Sequence, residues 1–316
     1  MVHAALGNGA FIISALFIIL YTVYAVWQPS ALSVSDLTDF FNNALPLAIA
    51  AAGGTFVVLT RGFDLSVAGV ISIANVIMAT KIGEGPVQAL WGLVLVCGIG
   101  LLCGALNGLL VSKIGLQSIA SSLGMMIITS GIALVLLDAP GGTVSEFVSY
   151  GLMDDIAGIV PITGLIAAGL IVIWLVVKRT DIGIAVYAVG ADETASTLAG
   201  ISVVKTRFFA YSIAGGLYGL AGYMLSAQTA TGNPNAGNPF LLQVFAAIAI
   251  GGTSFRGGRG GVVGSMVGAA TLMLLQKLLF AAGVSSFYTG LFQGVIMIVA
   301  VLIAALSSRF STAGAR

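Results

Sequence analysis

The chain has 316 residues, 59% of them hydrophobic and only 7% charged, with a mean hydropathy of +1.11. A soluble domain carries about 25% charged residues, so this chain cannot coat a water-facing surface, and lipid must be the solvent for most of it. A net charge of +1 without any Lys/Arg cluster argues against nucleic acid as a partner.

The lone histidine, His3, precedes every apolar run, which sets aside His-dependent catalysis and His-rich metal sites. The first run, 9–28, has no Lys or Arg before it. Gln28-Pro-Ser-Ala after it makes a poor cleavage site, so it reads as a retained helix. Further runs lie near 44–60, 66–82, 89–113, 116–137, 159–178, 207–228, 238–254, 261–281 and 287–307. A spanning helix needs about 20 mostly apolar residues, so these runs predict an all-α polytopic membrane protein of about ten helices. All belong to one transmembrane domain, 1–316. The second, third and eighth runs are short and interrupted by glycine, and the polar stretches 138–158, 179–206 and 229–238 are the substantial loops.

Between the second and third runs stands Arg61-Gly-Phe-Asp64-Leu-Ser66-Val-Ala-Gly69. Asp64 is predicted to cap the N–H groups of the next helix, with Arg61 close enough to pair with it. One reading is a capped, salt-bridged turn at the membrane surface. The other is a broken re-entrant element lining a pathway, since irregular backbone at depth survives only around a cavity. No second carboxylate accompanies Asp64 to make a proton relay. The fourth run carries Cys97 and Cys103, whose spacing of six points them on the order of 120° apart on a helix. That spacing argues against a disulfide, and partners for metal ligation are missing. Its glycines Gly98, Gly100, Gly104 and Gly108 predict close helix approach.

The loop 179–206 predicts a short helix from Ala191 to Leu198, ended by Gly200, with Asp192 and Glu193 in the first turn where the helix dipole favours acids. Basic pairs flank the loop and hold it at the headgroups. Such a projecting helix is placed to dock on another protein, the alternative being an idle linker. Beyond it, residues 246–266 repeat the plan of 50–70: small residues, Gly-Gly-Thr, an aromatic, Arg-Gly, then a new apolar run. Duplicated halves meeting at a central pathway are a common transporter plan. Gly257–Gly261, "GGRGG", lacks a following Gly-Lys-Ser/Thr, so it reads as a tight turn and not a phosphate loop. With the N-terminus in the cytoplasm and ten alternating helices, ten of the twelve basic residues fall on the cytoplasmic side, and only Lys81 and Lys277 fall outside.

These residues resemble a known family, the ribose/xylose/arabinose-type sugar permeases of bacterial ATP-binding-cassette (ABC) importers, within the branched-chain amino acid/ribose permease superfamily. "GFDLSVAG" (62–69), "LNGLLVSKIGLQSIASSLGMM" (106–126), "GADETASTLAGI" (190–201) and "AAIAIGGTSFRGGRGGVVGS" (246–265) resemble its motifs in register. The resemblance implies a permease subunit, not itself an enzyme, in the bacterial inner membrane with both termini cytoplasmic. It would pair with a second permease chain, as homodimer or heterodimer, and with ABC ATPase subunits that bind ATP and Mg; this chain would hold no cofactor. A periplasmic sugar-binding protein would deliver a monosaccharide, moved by alternating access. Gly190, Asp192, Glu193, Ala195, Gly200 and Ile201 would contact the ATPase, with the acidic turn meeting basic or polar groups there. Gln243 stands roughly where many relatives carry an acid. Phe56, Asp64, Asn75, Asn107, Thr129 and Gln243 are the candidate pathway or gating residues, each with interhelical packing as its plainer role. Other readings are an ABC permease for branched-chain amino acids or nucleosides, an ion-coupled transporter, and an intramembrane enzyme. The ion-coupled transporter would need midspan charges, and the enzyme a nucleophile–base set.

Overall fold

The structure, a computed structural model, describes residues 9–284 together with 291, 294 and 295; the expected tenth span, 287–307, otherwise lies outside the described residues. Helix α1 (Gly9–Trp27) turns most of its apolar surface outward. A 3₁₀ turn (Pro29–Leu32) leads into α2 (Val34–Leu59), which begins well before residue 44. Hydropathy alone misses this start because the first turns are polar. There Ser33 caps the helix by accepting the Asp36 N–H, and Asp36 favours the positive end of the dipole. From Ala44 to Leu59 every residue of α2 is buried, which makes it the axis of the molecule.

The remaining helices are α3 (Val67–Thr80), α4 (Pro86–Leu109, extended by a π turn to Ile114), α5 (Ser118–Leu136), α6 (Glu146–Met153), α7 (Ile162–Val177), α8 (Asp181–Ala191), α9 (Glu193–Leu198), α10 (Val203–Thr229), α11 (Phe240–Ile250) and α12 (Val262–Ala281). One small antiparallel hairpin, β1 (Asp155–Ile156) and β2 (Val160–Pro161), precedes α7, with Asp155 opposite Pro161. Six of these helices (α1, α2, α4, α5, α10 and α12) are long and apolar enough to cross a membrane. The pair α7–α8, bent by 75°, makes a seventh if counted as one span; α3 and α11 are apolar but shorter. The chain is an all-α polytopic membrane protein.

Its tightest seam joins α4 to α10. A methyl group placed on Gly100 would come within 2.1 Å of the Gly215 carbonyl, and one on Gly104 within 2.1 Å of the Tyr211 carbonyl. The two backbones are therefore in direct contact, as expected where lipid gives no hydrophobic drive for helices to associate and small residues must do it through packing.

The connections gather at two ends. At one end, Lys277 pairs with Asp36 at 3.0 Å, Asn42 donates to the Met153 carbonyl, and Gly141 bridges Gly232. The Glu84 carboxylate there accepts from Ser145 Oγ and the Glu146 N–H, capping α6 from outside its own chain segment. At the other end lie the turn 60–66, the segment 178–202 and the glycine-rich turn 251–261. Asp36 with Lys277, and Glu193 with Arg207, are each pairs that the Lys/Arg count places on a common side.

Candidate functional site

The two helix breaks of the repeat meet each other. Gly53–Thr55 stays within α2, whereas Gly251–Thr253 ends α11, yet the two threonines converge on one hydroxyl. Thr55 Oγ1 lies 2.7 Å and Thr253 Oγ1 3.3 Å from Ser265 Oγ of α12. The Gly258 N–H donates to the Leu59 carbonyl at 3.0 Å, tying the second break to the end of α2. Phe63 of the first break stacks on Phe255 of the second, with centroids 5.8 Å apart and planes 7° apart, and Phe245 of α11 completes the trio. The tight-turn reading of 257–261 holds, since Gly257, Gly258 and Gly260 all take positive φ.

Arg61 does not pair with Asp64. Its Nε donates to the Gly190 carbonyl at 2.8 Å and a terminal nitrogen donates to the Ala191 carbonyl at 2.5 Å. These are among the orphan carbonyls at the C-terminus of α8, where a cation is favoured both as donor and by the dipole. Arg61 reaches them from a left-handed backbone, φ 64°, which costs a non-glycine residue about 1–3 kcal/mol. Asp64 does not itself cap α3, whose N-cap is Ser66; it stands two residues before and holds Ser66 in place. It is 2% exposed, and its Oδ1 accepts from Ser66 N–H (3.0 Å) and Oγ (2.5 Å). Its Oδ2 is buried without a partner among the described residues.

The elbow between α8 and α9 is built on this clamp. At Gly190 a methyl group would lie 1.8 Å from the Leu59 carbonyl, so only glycine lets α8 touch both breaks. Tyr187 of α8 donates to the Gly260 carbonyl at 2.7 Å. Asp192 is extended, φ −157°, and its Oδ1 accepts the Ala195 N–H at 2.9 Å. The helix therefore starts at Glu193, two residues later than sequence predicts, because Asp192 is its cap. Its C-terminus is a Schellman motif, with Gly200 N–H to the Thr197 carbonyl, Ile201 N–H to the Ser196 carbonyl, and Gly200 at φ 81°. Glu193 forms an ion pair with Arg207 of α10. Both carboxylates are thus engaged within the chain.

Ser196 is the buried residue of α9, while Thr194, Ala195, Thr197 and Leu198 are exposed. Leu198, 85% exposed, is the elbow's apolar tip, and sequence reading passed over it. In so apolar a chain one more leucine carries no signal; only its place on a polar elbow marks it.

The candidate pathway residues are dispersed. Phe56 packs edge-on against Trp174 with centroids 5.1 Å apart. Asn107 accepts from Ser121 Oγ at 3.1 Å, with its Nδ2 buried and unpartnered among the described residues. Thr129 donates to the Met125 carbonyl of its own helix. Gln243 is half-buried near the start of α11. Asn75 is fully buried and tied to the 229–239 segment, far along α3 from the Arg61 turn.

Apolar helices of spanning length, two touching helix breaks and an elbow outside the bundle define a polytopic membrane transport subunit. Residues 37–301 match the family described as "Branched-chain amino acid transport system / permease component", and the chain belongs to that family. It is similar to the ribose import permease protein RbsC of Haemophilus influenzae, 32% identical over 292 residues, covering 90% of each chain. It is also similar to RbsC of Bacillus subtilis, 32% identical over 289 residues, covering 90% of this chain and 89% of that one. The inner membrane ABC transporter permease protein YjfF of Escherichia coli is 31% identical over 291 residues, covering 90% and 87%. No solved structure matches the chain.

Proposed function

We propose that the chain is the membrane subunit of a bacterial ABC importer that passes a monosaccharide into the cytoplasm by alternating access, driven by a separate ATPase. A second permease chain completes the membrane domain, and a periplasmic binding protein delivers the sugar. The Arg61 end of the bundle, with both termini, faces the cytoplasm.

The observation that carries this reading is the elbow. A capped, six-residue helix stands outside the bundle and presents Leu198 to solvent. Behind it Arg61 ties the elbow to the first break and Tyr187 of α8 ties it to the second, so displacement of α9 reaches both at once. Because Asp192 and Glu193 are used to cap and anchor α9, the docking contact is made by its exposed residues Thr194, Ala195, Thr197 and Leu198, with Leu198 as its centre. Gly190, Gly200 and Ile201 shape the elbow. The Phe63–Phe245–Phe255 trio, lying where the breaks meet, is the apolar closure of the route at this end.

Similarity at 30–32% identity over about nine-tenths of the chain to ribose import permeases supports a sugar as cargo. The family's description favours a second reading, a branched-chain amino acid. The test is Leu198→Asp, co-expressed with the ATPase. The permease should reach the membrane in normal amount while ATPase co-purification and uptake of labelled sugar collapse. Undiminished co-purification would remove the docking assignment, and uptake of L-leucine in place of sugar would establish the second reading.

A further inference from the structure

At the end of α3 away from Arg61 lies a cavity of about 290 Å³ between α3 and the 229–239 segment that joins α10 to α11. Its floor is Asn75, which is fully buried. Asn75 Nδ2 donates to Ser226 Oγ at 3.0 Å and to the Thr231 carbonyl at 3.1 Å, and its Oδ1 accepts the Asn233 N–H at 2.6 Å. One turn nearer the Arg61 end, Ser72 accepts the Gly237 N–H at 3.0 Å. Gly237 presses so closely on α3 that a methyl group there would sit 1.9 Å from the Ala68 carbonyl. The segment is therefore fastened along α3 and the cavity wall is preformed, as small-molecule sites generally are.

The chemistry of the wall is specific. Asn233 Oδ1 takes the Asn235 N–H at 2.9 Å, and Asn235 Oδ1 takes Asn238 Nδ2 at 3.3 Å. The side-chain NH₂ groups of Asn233 and Asn235 then have no acceptor among the described residues, and both residues line the cavity, with Thr229 and Thr231 beside them. No charged side chain lines it. An amino acid zwitterion entering here would give up hydration of two charges with no counter-charge to meet them. A neutral molecule bearing several hydroxyls would find the Asn233 and Asn235 amides and the Thr229 and Thr231 hydroxyls, with Pro140, Leu225, Ala236 and Pro239 making the apolar remainder of the wall. The lining also holds no aromatic ring, so contact is by hydrogen bonds exchanged against water and is weak, which suits a site that must release its ligand.

We propose that this cavity is a binding site for a neutral monosaccharide, held by the amides of Asn233 and Asn235 above Asn75. The proposal rests on the importer reading and narrows it, because the uncharged wall selects sugar over amino acid. One wall belongs to α3 and the other leads into α11. Relative movement of the two halves therefore breaks the Asn75–Asn233 and Ser72–Gly237 bonds together and opens the site.

The test uses Ala236→Cys in a full-length chain whose Cys97 and Cys103 are alanine, assembled with ATPase and binding protein in proteoliposomes. Ala236 lines the cavity. The rate of modification by a membrane-impermeant maleimide is measured with D-ribose, D-galactose or L-leucine present, and uptake of each by the unmodified chain is measured in parallel. A bound sugar should slow modification about threefold at about twice its dissociation constant, with L-leucine without effect. Sugar uptake without protection by that sugar would overturn the cavity assignment and leave the importer reading standing. Protection by L-leucine, or uptake of L-leucine alone, would overturn the sugar reading itself.

Discussion

Arg61 combines an unfavourable backbone with a favourable contact, and the two can be separated by substitution. Glycine at position 61 removes about 1–3 kcal/mol of left-handed strain and loses two hydrogen bonds worth about 1 kcal/mol each at an exposed site. Arg61→Gly should therefore leave the melting temperature in detergent nearly unchanged while binding-protein-stimulated ATPase activity falls sharply. Arg61→Lys keeps the charge but not the fork that spans two carbonyls, so it should fall between; full coupling in Arg61→Gly would show that the clamp transmits nothing. Asp192→Ala should weaken α9 by about 1 kcal/mol, and Asp192→Asn, which keeps an accepting oxygen, should restore both helix protection in hydrogen exchange and coupling. At this scale the sequence was legible wherever a role is local. Asp64 holds Ser66, the N-cap of α3, Asp192 is itself an N-cap and Gly200 a C-terminal glycine, and each serves a neighbour within a few residues. The partner of Arg61 lies 129 positions away, and no local pattern encodes it.

Among the elements, glycine spacing on the fourth run announced a close contact without naming which glycines make it. Gly100 faces the Gly215 carbonyl, whereas a methyl group on Gly98 would meet nothing within 4 Å. Gly100→Ala should cost about 1–3 kcal/mol or more by forcing α4 from α10. Gly98→Ala should instead be neutral or stabilising by about 0.5–1 kcal/mol through helix propensity alone. Thermal unfolding of the two variants side by side checks this, and equal destabilisation would mean the seam is not the contact described. Phe255→Ala should remove the ring stacked on Phe63 and let small polar solutes leak through resting proteoliposomes. The short helix α9 and the early start of α2 are polar segments whose caps, not whose hydropathy, make them helical, and α6, at eight residues, is too short to register as a span. That is why the span count alone did not find α6 or the first turns of α2.

For the molecule as a whole, the Lys/Arg asymmetry divides the loops into two sets, and the structure gathers each described set at its own end of the bundle. The proposed orientation is tested by Thr194→Cys on the elbow and Tyr150→Cys on α6, both exposed positions, in chains lacking Cys97 and Cys103. An impermeant thiol reagent added to spheroplasts should label position 150 at once and position 194 only after lysis; the reverse order would invert the assembly. The short helices carry a further consequence. At 1.5 Å per residue, the 14 residues of α3 and 11 of α11 give about 21 and 16 Å of helix, against about 30 Å of hydrocarbon. The remaining depth belongs to turns whose peptide groups lipid cannot satisfy, so protein or water must enclose them. The partition between the two compartments is then thinner than the bilayer around it, and cargo has fewer ångströms of dry protein to traverse. Such a thin septum tolerates little slackness, so loosening either turn should dissipate gradients before it stops import.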